Sequence, residues 1–247
     1  MARIKDSAIC IRDLDWSETS QIVVLLTEQH GKVRGLAKGS RRASPSAIAK
    51  FSGGINLLNA GQVMVSTRRG AQLAAVTEWD LQDDHYHLRN SLRAQRVAMY
   101  AADLCGAMLA DEDPHPGTYH ALAELLATVA DVGAIEHALL RFQWRVLSDC
   151  GFKPELDLDV QSGGELAPAR AYTFDPSLGG LTSRDGLGDE RWRVRGQTVG
   201  LLRAVAGGGE LADAEAVGLG RANRLLGAYA RALLDKELAT YSAALPG

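Results

Sequence analysis

Gln21-Ile22-Val23-Val24-Leu25-Leu26-Thr27-Glu28-Gln29-His30-Gly31-Lys32-Val33-Arg34-Gly35-Leu36-Ala37 holds two strands and the turn between them. The β-branched run Gln21 to Leu26 has strand length, His30-Gly31 makes a tight turn, and Lys32 to Ala37 returns as the next strand. Before this pair, Ala8-Ile9-Cys10-Ile11 reads as an earlier strand, followed by a turn over Asp13-Leu14-Asp15-Trp16-Ser17. After it, Lys38 to Pro45 is polar and basic, with Gly39 and two serines, and reads as a loop. Gln62 to Thr67 alternates polar and apolar residues, and Arg68-Arg69-Gly70-Ala71 turns that strand back into Gln72 to Thr77. Five short strands within about 75 residues, punctuated by glycine, predict a small barrel.

The charge pattern gives this barrel a task. Between Gly31 and Thr77 there are eight Lys or Arg residues and no Asp or Glu, although the whole chain has a net charge of −3. A one-signed surface on an acidic protein points to a polyanionic partner, with nucleic acid the leading candidate. Lys32 and Arg34 alternate with Val33 and are expected on one face of a strand. Lys38, Arg41 and Arg42 lie on the loop, and Arg68 and Arg69 on the next hairpin. Together they are expected to line a groove that tracks phosphates. Aromatic residues make up only 6% of the chain, which argues against a platform of many stacked bases.

Beyond Asp80 the apolar period becomes helical. Leu88 to Ala110, His120 to Val129 and Ile135 to Leu147 read as helices, the last ending at Cys150-Gly151. Residues 154–196 are rich in Gly, Ser, Asp and Pro and read as an irregular insert. Helical periodicity resumes over Thr198 to Ala206 and Ala216 to Tyr241. The expected organisation is α+β: a barrel domain over 1–80, a helical domain from 81–153 with 197–247, and the insert over 154–196.

Several classes of chemistry find no support. Met1 to Cys10 has no apolar core for a signal peptide, and no run approaches the ~20 apolar residues of a membrane span. Cys10, Cys105 and Cys150 are odd in number and form no CxxC pair, which fits a reducing cytoplasm better than a disulfide framework. Lys38-Gly39-Ser40 has the wrong order for a Walker loop. Asp83, Asp84, His85 and His87 offer metal-ligand chemistry, but no second ligand pair follows at useful spacing. Asp13, Asp15 and Glu18 read as turn-forming carboxylates, and Cys150 as a thiol that ends a helix. No catalytic site, metal site or cofactor is expected.

A family resemblance narrows the reading. It is carried by Asp6-Ser7-Ala8-Ile9-Cys10-Ile11-Arg12, by Ser17-Glu18-Thr19-Ser20-Gln21-Ile22-Val23, and by Leu26-Thr27 with His30-Gly31-Lys32. The most specific piece is Gly35-Leu36-Ala37-Lys38-Gly39-Ser40-Arg41-Arg42 with Ser44. These segments resemble the RecO family of bacterial DNA repair and recombination mediators. Gly151-Phe152-Lys153-Pro154-Glu155-Leu156 and Phe174-Asp175-Pro176 with Gly179-Gly180-Leu181 extend the likeness toward the C-terminus.

The resemblance implies an N-terminal OB-fold, a helical domain and a zinc-ribbon-like insert. It also implies binding to single- and double-stranded DNA and annealing of complementary strands. The implied partners are RecR and single-stranded-DNA-binding protein, helping to load RecA at gaps in the nucleoid. Many members place two CxxC pairs in the insert. Here the corresponding positions are Asp159 and Ser162, then Ser183 and about Gly186, so no structural zinc is expected. The insert is then expected to rest on an apolar cluster of Leu166, Tyr172, Phe174 and Leu181. The resulting expectation is a non-enzymatic, DNA-binding recombination mediator that contacts DNA through Lys32, Arg34, Lys38, Arg41, Arg42, Arg68 and Arg69. The competing readings are a protein-interaction scaffold with a basic barrel and a metal-dependent phosphodiester hydrolase built on the Asp83–His87 cluster.

Overall fold

The alternating stretches become antiparallel strands in the computed structural model, which describes residues 2–67, 72–183, 191–209, 211 and 214–246. Strand β1 spans Ala2–Ser17, β2 Ser20–Thr27 and β3 Gly31–Ala37. A short helix, α1 (Pro45–Lys50), follows. Ser44 starts it: its hydroxyl accepts the Ala47 N–H at 3.3 Å, and Pro45 takes the first helical turn. The two-residue strand β4 (Phe51–Ser52), β5 (Ala60–Thr67) and β6 (Ala74–Asp83) complete the sheet.

β1 is long enough to serve two neighbours. Its first half pairs with β5, from Ala2↔Thr67 to Ile9↔Ala60, and its second half pairs with β2, from Ala8↔Thr27 to Ser17↔Ser20. Irregular register between Cys10 and Arg12 bends the strand between these two pairings. β3 then meets β6 in parallel, Gly35↔Ala74 and Leu36↔Ala75, and the sheet closes in the order β1-β2-β3-β6-β5. This is a five-stranded barrel of OB type. Glycine is required at the closure, because a Cβ on Gly35 would lie 2.6 Å from Cγ2 of Val76. The barrel interior holds Cys10, Val23, Leu25, Val33, Val63, Val65, Val76 and Trp79. Burial pushes the Cys10 thiol up to about 12, so it is a packing residue and not a nucleophile.

The segment Asp13–Ser17, expected to turn, continues β1 instead. Asp13 pairs with Val23 and Asp15 with Gln21, so the hairpin reverses only at Glu18-Thr19. Carboxylates are tolerated on this strand because a cation lies against them, as described below.

Contacts divide the chain into two compact units, Met1–Val132 and Gly133–Gly247. The first unit contains two helices besides the barrel, whereas the sequence reading divided the chain after Asp80. Helix α2 (Leu92–Met108), started by Ser91 accepting the Ala94 N–H, packs on β1, and α3 (Pro116–Thr128) touches α2 and β2.

The second unit begins with α4 (Ile135–Asp149). Strands β7 (Ala171–Asp175), β8 (Gly180–Thr182) and β9 (Trp192–Arg195) form a small sheet in the order β8-β7-β9. Helices α5 (Gly196–Ala206), α6 (Ala216–Leu234) and α7 (Tyr241–Ala244) follow. Buried Asn223 of α6 locks onto α4: its amide donates to the Glu136 carbonyl at 3.0 Å and accepts from Gln143 at 2.9 Å. The expected cluster of Leu166, Tyr172, Phe174 and Leu181 is buried, and Phe174 also meets Tyr229 of α6 edge-on at 5.1 Å. Among the described residues no helix is long and apolar enough to cross a membrane.

Candidate nucleic-acid interface

The loop that follows β3 is pinned at several points, and its cations are left outside. Gly39 takes φ +77°, a left-handed turn that glycine adopts without strain. Its N–H donates to the Ser20 hydroxyl at 3.1 Å. The Ser40 hydroxyl donates to Oε1 of Gln21 at 3.0 Å, and Gln21 in turn donates to the Ile55 carbonyl at 2.9 Å. The Arg41 N–H donates to the Thr19 carbonyl at 3.1 Å, so the loop leans on the β1–β2 hairpin. Lys38, Arg41 and Arg42 are exposed. The side chains of Lys38 and Arg42 form no ion pair or hydrogen bond with a described residue, and Arg42 lies across Gly39. Arg41 pairs with Asp15 and reaches Asp13 at 4.0 Å.

Two sequence-predicted neighbours separate. Arg34 is exposed, with the Asp111 carboxylate 4.0 Å away. Lys32 is only 9% exposed. Its ammonium donates to the carbonyls of Gly106 (2.8 Å) and Leu109 (2.6 Å) and lies 3.3 Å from Asp111. Those carbonyls end α2, so Lys32 serves as the cation at a helix C-terminus. The common strand face is real, but only Arg34 remains available to a ligand. Arg68 and Arg69 lie outside the described residues.

The outer face of β1-β2-β3 carries residues the sequence reading passed over. The registers align Arg12, Val24 and Arg34 in one row and Leu14, Ile22 and Leu36 in the next. Leu14 is 46% exposed, and Trp16, at the hairpin, 64%. Neither row contains a carboxylate. An apolar strip with an exposed indole at its end and arginines along one side suits splayed bases and their phosphates. The alternation Arg12-Leu14-Trp16 signals it in the sequence, although Asp13 to Ser17 also reads as a turn.

The Asp83–His87 cluster has other work. The His85 and Tyr86 N–H groups donate to the carboxylates of Asp83 (2.7 Å) and Asp84 (3.1 Å). His85 Nδ1 lies 2.8 Å from the Leu58 carbonyl, and His87 Nε2 lies 2.7 Å from that of Leu126. Carbonyls only accept, so these ring nitrogens carry protons and are unavailable as ligands. Burial lowers the His85 pKa, keeping the ring neutral near pH 7. The second nitrogen of each ring is not engaged by these bonds, but among the described residues the cluster does not form a group of three or more His, Cys, Asp or Glu side chains that could hold a metal ion, so the hydrolase reading gains no support. Cys150 caps the end of α4, half-buried.

Comparison with known proteins decides the family. The model of the recombination protein O N-terminal region matches residues 1–84, and that of its C-terminal region matches residues 89–241. The chain belongs to the RecO family. "DNA repair protein RecO" of Halorhodospira halophila is 32% identical over 192 residues, covering 78% of this chain and 76% of the relative. The protein of the same name from Anaeromyxobacter sp. (strain Fw109-5) is 28% identical over 179 residues, covering 72% and 68%.

The RecO insert departs from a zinc ribbon at the side chains themselves. The Asp159 carboxylate stands at the first expected ligand position and is saturated by donors: Ser183 hydroxyl (2.5 Å) and N–H (2.8 Å), Gln161 N–H (2.9 Å), Ser162 N–H (3.1 Å) and Thr182 hydroxyl (3.2 Å). These bonds, that from the Ser183 hydroxyl foremost, hold its carboxyl far below the usual carboxylate range. One carboxylate and two hydroxyls that hydrogen-bond within the loop do not fit a tetrahedral zinc site. Among the described residues no group of three or more His, Cys, Asp or Glu side chains is placed to hold a metal ion.

Proposed function

We propose that this RecO-family chain is a non-enzymatic mediator of DNA repair that binds DNA through the outer face of its barrel and the adjoining basic loop. The observation that carries this reading is the pinned Lys38–Arg42 loop, held to the β1–β2 hairpin by the Gly39 N–H, the Ser40 hydroxyl and the Arg41 N–H while three cations face solvent. Rigid presentation lowers the entropy lost when phosphates are engaged. Arg12 and Arg34 extend the contact along β1 and β3, and Leu14 and Trp16 meet bases where a strand is single. Lys32 is left out of the contact set, because its ammonium is occupied by α2. Arg68 and Arg69 remain in the set on their sequence position alone.

Phosphate neutralisation releases counterions, so affinity falls with salt and depends little on sequence. A strand with its charge reduced approaches its complement at lower electrostatic cost, and annealing follows. In the cell this chain acts with RecR and single-stranded-DNA-binding protein at gaps where RecA is loaded, in the cytoplasm at the nucleoid. Annealing of labelled complementary strands, naked and coated with single-stranded-DNA-binding protein, tests the reading. Acceleration in either condition is expected. Failure in both overturns it, and absence of salt-sensitive DNA binding would favour the protein-scaffold reading.

A further inference from the structure

The second unit carries a cationic groove of its own. It measures about 270 Å³ and runs between β9 and α6. Arg193 and Arg195 come from β9, and Arg221 and Arg224 from α6. Arg193 and Arg195 share one side of the strand by their spacing of two, and Arg221 and Arg224 share a helix face by their spacing of three. Among the described residues no carboxylate lines the groove.

Outside the groove, Arg141 donates to the Gly209 carbonyl at 2.8 Å, and four further arginines of this unit meet carboxylates. Arg145, Arg191, Arg203 and Arg231 are each bound to a carboxylate, those of Asp149, Asp175, Asp157 and Glu237. The four groove arginines pair with no carboxylate among the described residues, and Arg224 makes a 3.4 Å contact to the Pro246 carbonyl. Four like charges kept together with no carboxylate from a described residue between them raise the local potential and are costly unless an anion completes them. Helix α5 adds to that potential, because it begins at the groove, has no side-chain cap at Arg195 and no acidic residue in its first turn.

The shape favours a chain of phosphates over a single anion. Trp192 and Ala228 line both this groove and a wider cleft of about 810 Å³, in which Arg231 and Lys236 stand beside Asp235 and Glu237. The Trp192 ring is half-buried and stacked on Phe174 at 5.7 Å, nearly parallel, so it is held rigidly in the wall. Arginine forks recognise phosphate oxygens in pairs, and a fixed indole offers a surface to a base. At four residues, β9 is too short to hold an added peptide strand by ladder bonds alone.

We infer that the Arg193–Arg195–Arg221–Arg224 groove is a second nucleic-acid site, which takes the backbone of a strand separate from the one on the barrel. The choice of nucleic acid rests on the DNA-binding reading above, whereas the charge and shape of the groove do not. A chain with two such sites holds two strands at once, which annealing requires.

The test uses the full chain with Arg193→Ala/Arg195→Ala and, separately, Arg221→Ala/Arg224→Ala. The first pair is exposed, so its replacement leaves the fold intact. Binding of one labelled single strand is followed by anisotropy across salt, and bridging of two non-complementary strands by energy transfer between donor and acceptor dyes. Wild type is expected to bind and to bridge. The Arg193/Arg195 variant should lose bridging and lower the salt slope by about 1.4, the share of two phosphate contacts. Unchanged bridging and slope in both variants, with wild-type binding intact, would overturn the groove assignment and leave the barrel reading standing. No DNA binding by wild type would overturn the barrel reading. Competition by inorganic phosphate as effective as by an oligonucleotide would reduce the groove to a single-anion site. Displacement of polyglutamate from the groove without effect on DNA would assign it to an acidic protein segment. Either result contradicts the proposal.

Discussion

Lys32 and Arg34 lie two residues apart on one strand and end in different surroundings. Arg34 reaches solvent, whereas Lys32 closes the end of α2 through Gly106 and Leu109. Replacing Lys32 by Met leaves those carbonyls without their donor and should cost about 2 kcal/mol of stability. Urea unfolding measures that loss, and DNA affinity of the folded variant should fall less than for Arg42→Glu. Arg41 makes the opposite case, since its guanidinium is exposed but already faces Asp13 and Asp15. A phosphate must compete with both carboxylates. Asp13→Asn/Asp15→Asn is therefore expected to tighten single-strand binding at low salt by up to about fivefold, the scale of exposed ion pairs. Anisotropy titration checks it, and weaker binding would show that the carboxylates position Arg41 productively.

At the scale of elements, the insert of the second unit is organised by one carboxylate. Asp159 gathers Gln161, Ser162, Thr182 and Ser183, joining two segments of the insert. Its folded pKa is depressed, so its contribution is fully present above the unfolded value of about 3.9 and is lost as pH falls through the folded value. Asp159→Asn should lower the melting temperature at pH 7 and make the remaining stability less sensitive to acid below about pH 4. Equal melting curves for the two proteins from pH 7 to pH 3 would contradict this role. The strands themselves were legible, because β2 is a β-branched run of strand length, Lys32-Val33-Arg34 alternates in β3 and Gly31 sits in their turn. Closure of the barrel was not, because β3 meets β6 through Gly35 and Ala74, far apart in sequence and too short a pairing to leave a pattern. The site was half legible for the same reason. Lys38, Arg41 and Arg42 are consecutive enough to be seen as one loop. The partners of Lys32 lie at the far end of another helix, and Leu14 and Trp16 became visible only once β1 was known to run to Ser17.

At the scale of the whole molecule, a chain of net charge −3 still places two local groups of exposed cations on its surface. One set lies on the barrel of the first unit and another in the groove of the second, and acidic residues elsewhere offset both. Such a distribution gives local attraction for phosphate without making the whole protein basic. The central claim is that the Lys38–Arg42 loop binds DNA by charge. Single-strand affinity measured by anisotropy as a function of salt, for wild type and Arg41→Glu/Arg42→Glu, tests it most directly. The account predicts weaker binding across all sequences and a salt slope shallower by about 1.4, the release from two phosphates. Unchanged affinity and slope at low salt would contradict it.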